Sequence, residues 1–362
     1  MAKKVWTAIG LMSGTSMDGV DAALITTDGE AMLEPGRHLT TPYDSTFRDR
    51  LRDLVAGQGD VAAVEKELTA CHGRAVTALL RVAGIGPADV DIIGFHGHTI
   101  LHKPEQARTW QIGDGAKLAR DTGIDVVYDL RGADVAAGGQ GAPLAPIFHR
   151  ALSAEMPRPL AVLNIGGVAN VTWIGDGEEA LIGYDTGPGN ALLDDWIRRH
   201  TGNPFDRDGA LSAAGHPHPV KLAKLVTHPY FNEKPPKSLD RDAFAAIAVD
   251  ILRDLSVEDG AALLTAFTVE TISQAAIHMP LQPRQWIVVG GGRHNQALMD
   301  GLRARIDAEI TSGDDIGWSG DAIEAQAFGY MAIRSRLSLP ISYPGTTGVP
   351  HPMSGGVLAR KP

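Results

Sequence analysis

Two stretches of the chain repeat one hydrophobic pattern. Residues 5–25 read as an apolar run, a turn rich in Gly, Ser and Thr, and a second apolar run ending near Asp28-Gly29. Residues 160–174, Leu-Ala-Val-Leu-Asn-Ile-Gly-Gly-Val-Ala-Asn-Val-Thr-Trp-Ile, read the same way and end at Asp176-Gly177. Apolar runs bounded by turn residues predict strands, so each stretch predicts a β-hairpin. Helical spacing follows the first hairpin at residues 46–55 and 61–82, with short buried strands expected at 90–95 and 124–128. After the second hairpin the pattern predicts a strand at 181–184, then helices at 190–200, 243–255 and 260–278. A strand at 286–289 runs into Gly290-Gly291-Gly292, and a last helix is expected at 322–337, before a Pro/Gly-rich tail at 340–356.

Strands alternating with helices imply α/β layers. Two halves that open alike predict a duplicated α/β unit with a cleft between the copies. The Gly-rich stretch 136–143 is unsuited to a helix interior and sets the expected boundary. An N-terminal α/β domain then covers 1–140 and a C-terminal one 141–321, with the last helix crossing back so that about 322–362 completes the first.

A length of 362 residues agrees with two domains. With 44% apolar and 21% charged residues, the composition is that of a soluble globular protein. The formal charge of −10 argues against nucleic acid or an anionic membrane as the main partner. Cys71 is the single cysteine, which rules out an internal disulfide and fits a reducing cytoplasm. Lys3-Lys4 before residues 5–12 imitates a signal peptide, but the apolar stretch is short and Gly-broken. No stretch suggests the ~18 apolar residues of a membrane span. The expectation is a cytoplasmic protein acting on small molecules.

Candidate chemistry gathers where the predicted strands end. The first hairpin turn, Gly14, Thr15, Ser16, Met17, Asp18 and Gly19, offers backbone amides and short hydroxyls to an anion. It is no Walker A loop, since Gly-x-x-x-x-Gly-Lys-Ser/Thr occurs nowhere in the chain. Asp185 lies between a strand and a helix, beside Gly187, Pro188, Gly189 and Asn190. It could serve as a general base or a Mg²⁺ ligand, with the Gly187–Asn190 amides facing phosphate, or Asp185 and Asn190 could simply cap turn and helix. Gly290, Gly291 and Gly292 before Asn295 would let backbone approach a nucleotide, or would only tighten a turn. His96 could orient a sugar hydroxyl, with Thr99 nearby, and Arg131 could hold a carboxylate. Glu324 would aim a carboxylate into the cleft or favour its own helix dipole. His96 and His98 lack the partners of a metal site. Together these features point to a phosphotransferase.

Taken together, these segments resemble those of the anhydro-N-acetylmuramic acid kinases of the sugar kinase/Hsp70/actin superfamily. The resemblance runs through residues 10–19, 134–143 (Asp-Val-Ala-Ala-Gly-Gly-Gln-Gly-Ala-Pro), 163–167, 184–190, Pro236-Lys237-Ser238, and Gly290-Gly291-Gly292 with Asn295. It implies a two-domain actin/hexokinase-like (duplicated RNase H-like) fold with an interdomain cleft, ATP and Mg²⁺ as cofactors, and a homodimer. The implied reaction opens the 1,6-anhydro ring with water while O6 takes the γ-phosphoryl group, giving N-acetylmuramic acid 6-phosphate and ADP. By the same resemblance the ATP loop is Gly14 to Asp21, including Val20, with Asp18 as a Mg²⁺ candidate. Gly187, Gly189, Asn190, Lys237, Gly290 to Gly292 and Asn295 complete the expected nucleotide contacts. Asp185 becomes the base for the attacking water, and Glu324 helps place that water. The chain departs from the family at Gly132-Ala133, where two arginines are common, at His98, where glutamine is usual, and at Leu239-Asp240, where Thr-Gly is common. Another sugar or small-acid kinase of the superfamily, and a nucleotide switch of the Hsp70 kind, are the competing readings.

Overall fold

The computed structural model describes residues 4–362 other than Thr15, Glu178 and Asp242. The chain divides into two compact units, Met1–Ala154 with Ala322–Pro362, and Glu155–Asp321.

The first unit is built on a six-stranded sheet. Trp6–Met12, Gly19–Thr27 and Leu33–Pro42 form an antiparallel meander. On the other side of Trp6–Met12, the strands Ile92–Phe95 and Val126–Tyr128 add in parallel, and Val357–Ala359 closes the edge antiparallel. Alternation along the strand sorts the two faces. Ile9 and Leu11, with Ile93 and Phe95, enter a core shared with the helices Ser45–Val55 and Val61–Ala83. Asp44 and Asp60 cap those helices by accepting from Phe47 N and Ala63 N. The opposite face carries Gly10 and Gly94, paired in register on neighbouring strands. There the helix Ile323–Arg336 lies so close that a Cβ on Gly10 would overlap the Ala325 carbonyl oxygen. A Cβ on Gly94 would likewise strike the Phe328 carbonyl.

The second unit has a five-stranded sheet of the same plan. Leu160–Ile165, Val168–Ile174 and Leu181–Pro188 form the meander, and Gln285–Val289 and Glu309–Ser312 add in parallel beyond the first strand. Numbering the strands of each sheet in chain order, the second reads 3-2-1-4-5 across and the first 3-2-1-4-5-6, so five strands correspond and the first sheet adds one at its edge. Trp286 and Tyr184, both fully buried, anchor its core. Phe231, Phe244 and Phe267 form a second cluster, with Phe231 and Phe244 stacked 5.4 Å apart.

Two expectations change. The first unit extends to Ala154 rather than ending at 140, because the helix Pro146–Leu152 places Phe148 5.8 Å from Tyr330 and Gln140 N donates to Thr347 O. One helix, Val257–His278, does reach membrane-spanning length and apolarity among the described residues. Most of it is buried within its own unit, as a core helix is.

The close approach of Ile323–Arg336 sets a test. Gly10→Ala forces the helix away from the sheet and is expected to cost about 3 kcal/mol, the upper end of overpacking, read as a lower urea midpoint. Gly73→Ala is the control: the nearest atom to its Cβ is 3.9 Å away, in a helix interior where alanine is favoured. Equal midpoints for the two variants would show that the contact is loose.

Candidate active site

In the first unit the candidate residues collect at the carboxyl ends of the parallel strands. Trp6–Met12 leads into Ser13, whose buried hydroxyl lies 3.0 Å from His98 Nδ1 and accepts from Tyr43 OH at 2.8 Å. The turn then closes as Met17 N donates to Gly14 O, with Met17 itself in the left-handed region at φ 53°. Ser16 donates to Asp18 Oδ1 at 2.7 Å. A Cβ on Gly14 would meet nothing nearer than 3.8 Å, so this part of the turn stands open. Gly19, Val20 and Asp21 instead belong to the strand: Gly19 abuts the Thr41 carbonyl, Val20 is fully buried, and Asp21 accepts from Thr40 Oγ1 at 2.5 Å. Thr15 lies outside the described residues. Glu324 is exposed in the first turn of its helix. Neighbouring Ala322 and Ala325 pack with Met12 and Ala23, which brings Glu324 to the same end of the sheet as the turn.

His96 follows Ile92–Phe95 and is buried. Its Nδ1 lies 3.1 Å from Gly97 O, and its Nε2 accepts from Arg131 Nε at 3.2 Å and Nη2 at 3.1 Å. The ring is therefore neutral with its proton on Nδ1; burial first, and then Arg131, hold its pKa well below the usual histidine range. Arg131 also donates to Gly141 O at 2.6 Å. The carboxylate-gripping role expected of Arg131 must compete with these bonds, so the side chain acts first on His96 and the loop at Gly141. Thr99 accepts from Gln111 Nε2 at 3.2 Å. A cavity of about 310 Å³ is lined by Glu65, His96, Trp110, Gln111, Tyr128 and Asp129, among others. Aromatic rings beside amide and carboxylate groups suit a polar ring ligand. Sequence reasoning does not single out Trp110, Glu65 or Asp129; the local signal it holds is a tryptophan between the polar Thr109 and Gln111.

In the second unit Asp185 sits beside a bulge in Leu181–Pro188, where Thr186 is the extra residue. It pairs with Asn170, which pairs with Asn164, so a polar row crosses three otherwise apolar strands. The segment after Pro236 runs beside it: Leu239 N donates to Asp185 Oδ2 at 2.7 Å, and Asp185 N donates to Lys237 O at 3.2 Å. Tyr230 OH donates to the Asp185 carbonyl at 2.7 Å. Lys237 is buried and donates to Tyr230 O at 3.0 Å, and its burial pushes its pKa down while Glu233 and Asp185 pull it back up. Asp185 is thus aimed by backbone, with a cation close by.

The glycine turns of this unit divide in use. The amides of Gly189, Asn190 and Ala191 donate to the Gly167 and Gly166 carbonyls, so they are not free to face phosphate as expected. Gly187 is packed against Thr271 and Phe231, and Gly292 against Ile165. Gly290, at φ 77°, makes the sharp exit from its strand. Asn295 caps the helix Gln296–Arg305 by accepting from Leu298 N at 3.0 Å. Gly291 alone of the three has open space over its Cα, the nearest atom being Asn190 Nδ2 at 3.7 Å. It borders a cavity of about 410 Å³ with Asn190, Asp194, Phe205, Asn295 and others. Among the described residues no group of three or more His, Cys, Asp or Glu side chains could hold a metal ion by itself.

Two units whose sheets share a five-strand order 3-2-1-4-5, extended by one edge strand in the first, each with its polar groups at strand ends, define the actin/hexokinase-like class of two-domain α/β proteins. Component A of (R)-2-hydroxyglutaryl-CoA dehydratase from Acidaminococcus fermentans has this fold, with a TM-score of 0.50 and 11% identity over 91% of this chain and 99% of that one. The family described as anhydro-N-acetylmuramic acid kinase matches residues 6–361, and the chain belongs to that family. The anhydro-N-acetylmuramic acid kinase of Paramagnetospirillum magneticum is 51% identical over 96% of this chain and 98% of its own. That of Gluconobacter oxydans is 52% identical over 97% and 99%.

The buried histidines make stability depend on pH. Burial lowers His72 and His98 to about 4 and His149 to about 3, from 6.5. Below about pH 6.5 the unfolded chain binds protons that the native rings refuse, so stability falls as pH drops towards 4 and is unaffected by these groups above 7. Each ring contributes up to about 1.4 kcal/mol per pH unit in that window. Asp194, raised to about 7 chiefly by burial, opposes this with one group. Urea midpoints should therefore fall between pH 6.5 and pH 5, and a flat profile would mean that the rings protonate within the fold.

Proposed function

We infer that this chain is a kinase acting on anhydro-N-acetylmuramic acid in cell-wall recycling. The family match over residues 6–361 carries the reading, and the backbone-held Asp185 supports its chemistry. A water molecule attacks the anomeric carbon of the 1,6-anhydro sugar, and Asp185 takes its proton. The bond from that carbon to O6 breaks as O6 bonds to the γ-phosphorus of ATP, and ADP leaves with the electrons of the broken phosphoanhydride bond. The products are N-acetylmuramic acid 6-phosphate and ADP. Glu324 orients the water, and the Gly14, Ser16, Met17 and Asp18 turn meets phosphate.

Mg²⁺ bound with ATP takes one or two carboxylates, with phosphate oxygens and water filling the rest of its shell. Exposed Asp18 fits as such a single ligand, in keeping with the absence of a protein-built metal cluster among the described residues. The ion supplies charge neutralisation at the phosphates. A cytoplasmic homodimer completes the reading, and sedimentation of the purified protein tests the assembly.

Asp185→Asn keeps the acceptor for Leu239 N but cannot take a proton. Its kcat is expected to fall about 10²–10⁴-fold with the KM for ATP little changed, measured as ADP release with the anhydro sugar. Near wild-type turnover would reduce Asp185 to a turn residue and sink the mechanism.

Gly14→Val tests the turn. Its Cβ meets nothing closer than ordinary van der Waals contact, the nearest atom at 3.8 Å, so the melting temperature should hold while the KM for ATP rises about tenfold or more. Unchanged affinity for ATP in the folded variant removes the turn from the phosphate site.

A further inference from the structure

The cavity beside Gly291 contains a carboxylate that the reaction does not use. Asp194 lies one turn into the helix Ala191–Thr201 and lines this cavity with Asn190, Phe205, Gly291 and Asn295. Of the arginines nearby, Arg207 lines the cavity with its guanidinium 5.5 Å from the centre of the Phe205 ring, and two others are engaged by Asp195. Arg241 donates to both oxygens of Asp195, at 3.1 and 3.2 Å, and Arg198 donates to Asp195 Oδ1 at 3.2 Å. Asp206, a second acid on the cavity wall, is saturated by Leu211 N, Ser212 N and the Ser212 hydroxyl. No hydrogen bond or ion pair to the Asp194 carboxylate is found among the described residues.

A largely desolvated carboxylate with two vacant acceptor oxygens calls for a ligand that brings two adjacent donors. Burial raises its pKa to about 7, against the opposing pull of Arg198, which marks how poorly the charge is compensated without such a ligand. In a nucleoside triphosphate the vicinal pair of donors is the ribose 2′,3′-diol. The flat, open backbone at Gly291 and the ring of Phe205 suit the rest of a nucleoside.

We propose that Asp194 is a specificity-determining residue that accepts hydrogen bonds from both ribose hydroxyls and makes the enzyme select ribonucleotides over deoxyribonucleotides. The inference rests on the reading that ATP is the phosphoryl donor and that its nucleoside part occupies the Gly291 cavity.

The experiment compares the KM for ATP, 2′-deoxy-ATP, 3′-deoxy-ATP and purine riboside triphosphate in the wild type, Asp194→Asn and Gly291→Leu, at saturating sugar. The wild type should show a KM about tenfold higher for each deoxynucleotide, the scale of one hydrogen bond to a charged group. Asp194→Asn should bring ATP and the deoxynucleotides within about twofold, with kcat retained. Equal wild-type KM values for ATP and both deoxynucleotides would overturn the proposal even if the variant failed to fold. So would discrimination that survives in Asp194→Asn. A penalty confined to purine riboside triphosphate would assign Asp194 to the base amino group and also overturn it. Gly291→Leu fills the cavity and should raise the KM for every nucleotide. If it does not, the cavity is not the nucleoside site and the underlying reading fails separately.

Discussion

The contact between Gly10, Gly94 and the helix Ile323–Arg336 is the constraint on which the first unit depends. Two glycines in register remove the side chains from one strip of the sheet, and backbone meets backbone there. Gly329 on the helix reciprocates, since a Cβ there would stand 3.0 Å from Gly10 N. Close packing of this kind has one seating, because a slide by one residue would bring Phe328 or Tyr330 onto the strip. The helix start, with Glu324, is thereby held at the strand ends beside Ser13 and the following turn. The same alternation that empties one face fills the other with Ile9, Leu11, Ile93 and Phe95.

The second unit positions its acid differently. A bulge, the neighbouring Lys237–Leu239 segment and a tyrosine hydroxyl all act on the Asp185 backbone or carboxylate. Its glycine turn spends the Gly189, Asn190 and Ala191 amides on the Gly166 and Gly167 carbonyls, while the turn at Gly14 leaves room above it. Similar sequences thus serve opposite ends: one turn locks a helix to a hairpin, the other presents an open rim.

Much of this was legible in the sequence. The paired hairpins stood out because both faces of their strands are buried, which produces unbroken apolar runs between glycine turns. The strands Leu33–Pro42, His98–Lys103, Arg108–Ile112, Glu309–Ser312 and Val357–Ala359 do not stand out in the sequence, since each is an edge or hairpin strand whose residues are mostly exposed or only partly buried and which carries no apolar run. Asp185 announced itself through the Gly-rich turn that follows it. Its supports did not: Leu239 acts through a backbone amide, which any residue supplies, and Tyr230 lies far along the chain. Val20 and Gly292 were read as ligand contacts because sequence cannot distinguish a glycine or valine packed on a neighbour from one facing a ligand. Asp194 was invisible for a like reason, since an acid in the first turns of a helix is commonplace until the engaged neighbours around it are seen.

The first unit is discontinuous along the chain, and the second is inserted within it. On the ribosome, residues 155–321 emerge as an uninterrupted block with both of its core clusters present. The glycine strip of the first sheet, made much earlier, has nothing to cover it until the helix beginning at Ile323 leaves the exit tunnel. The order of synthesis therefore asks the later-made unit to fold first, while the earlier one waits with a bare sheet face.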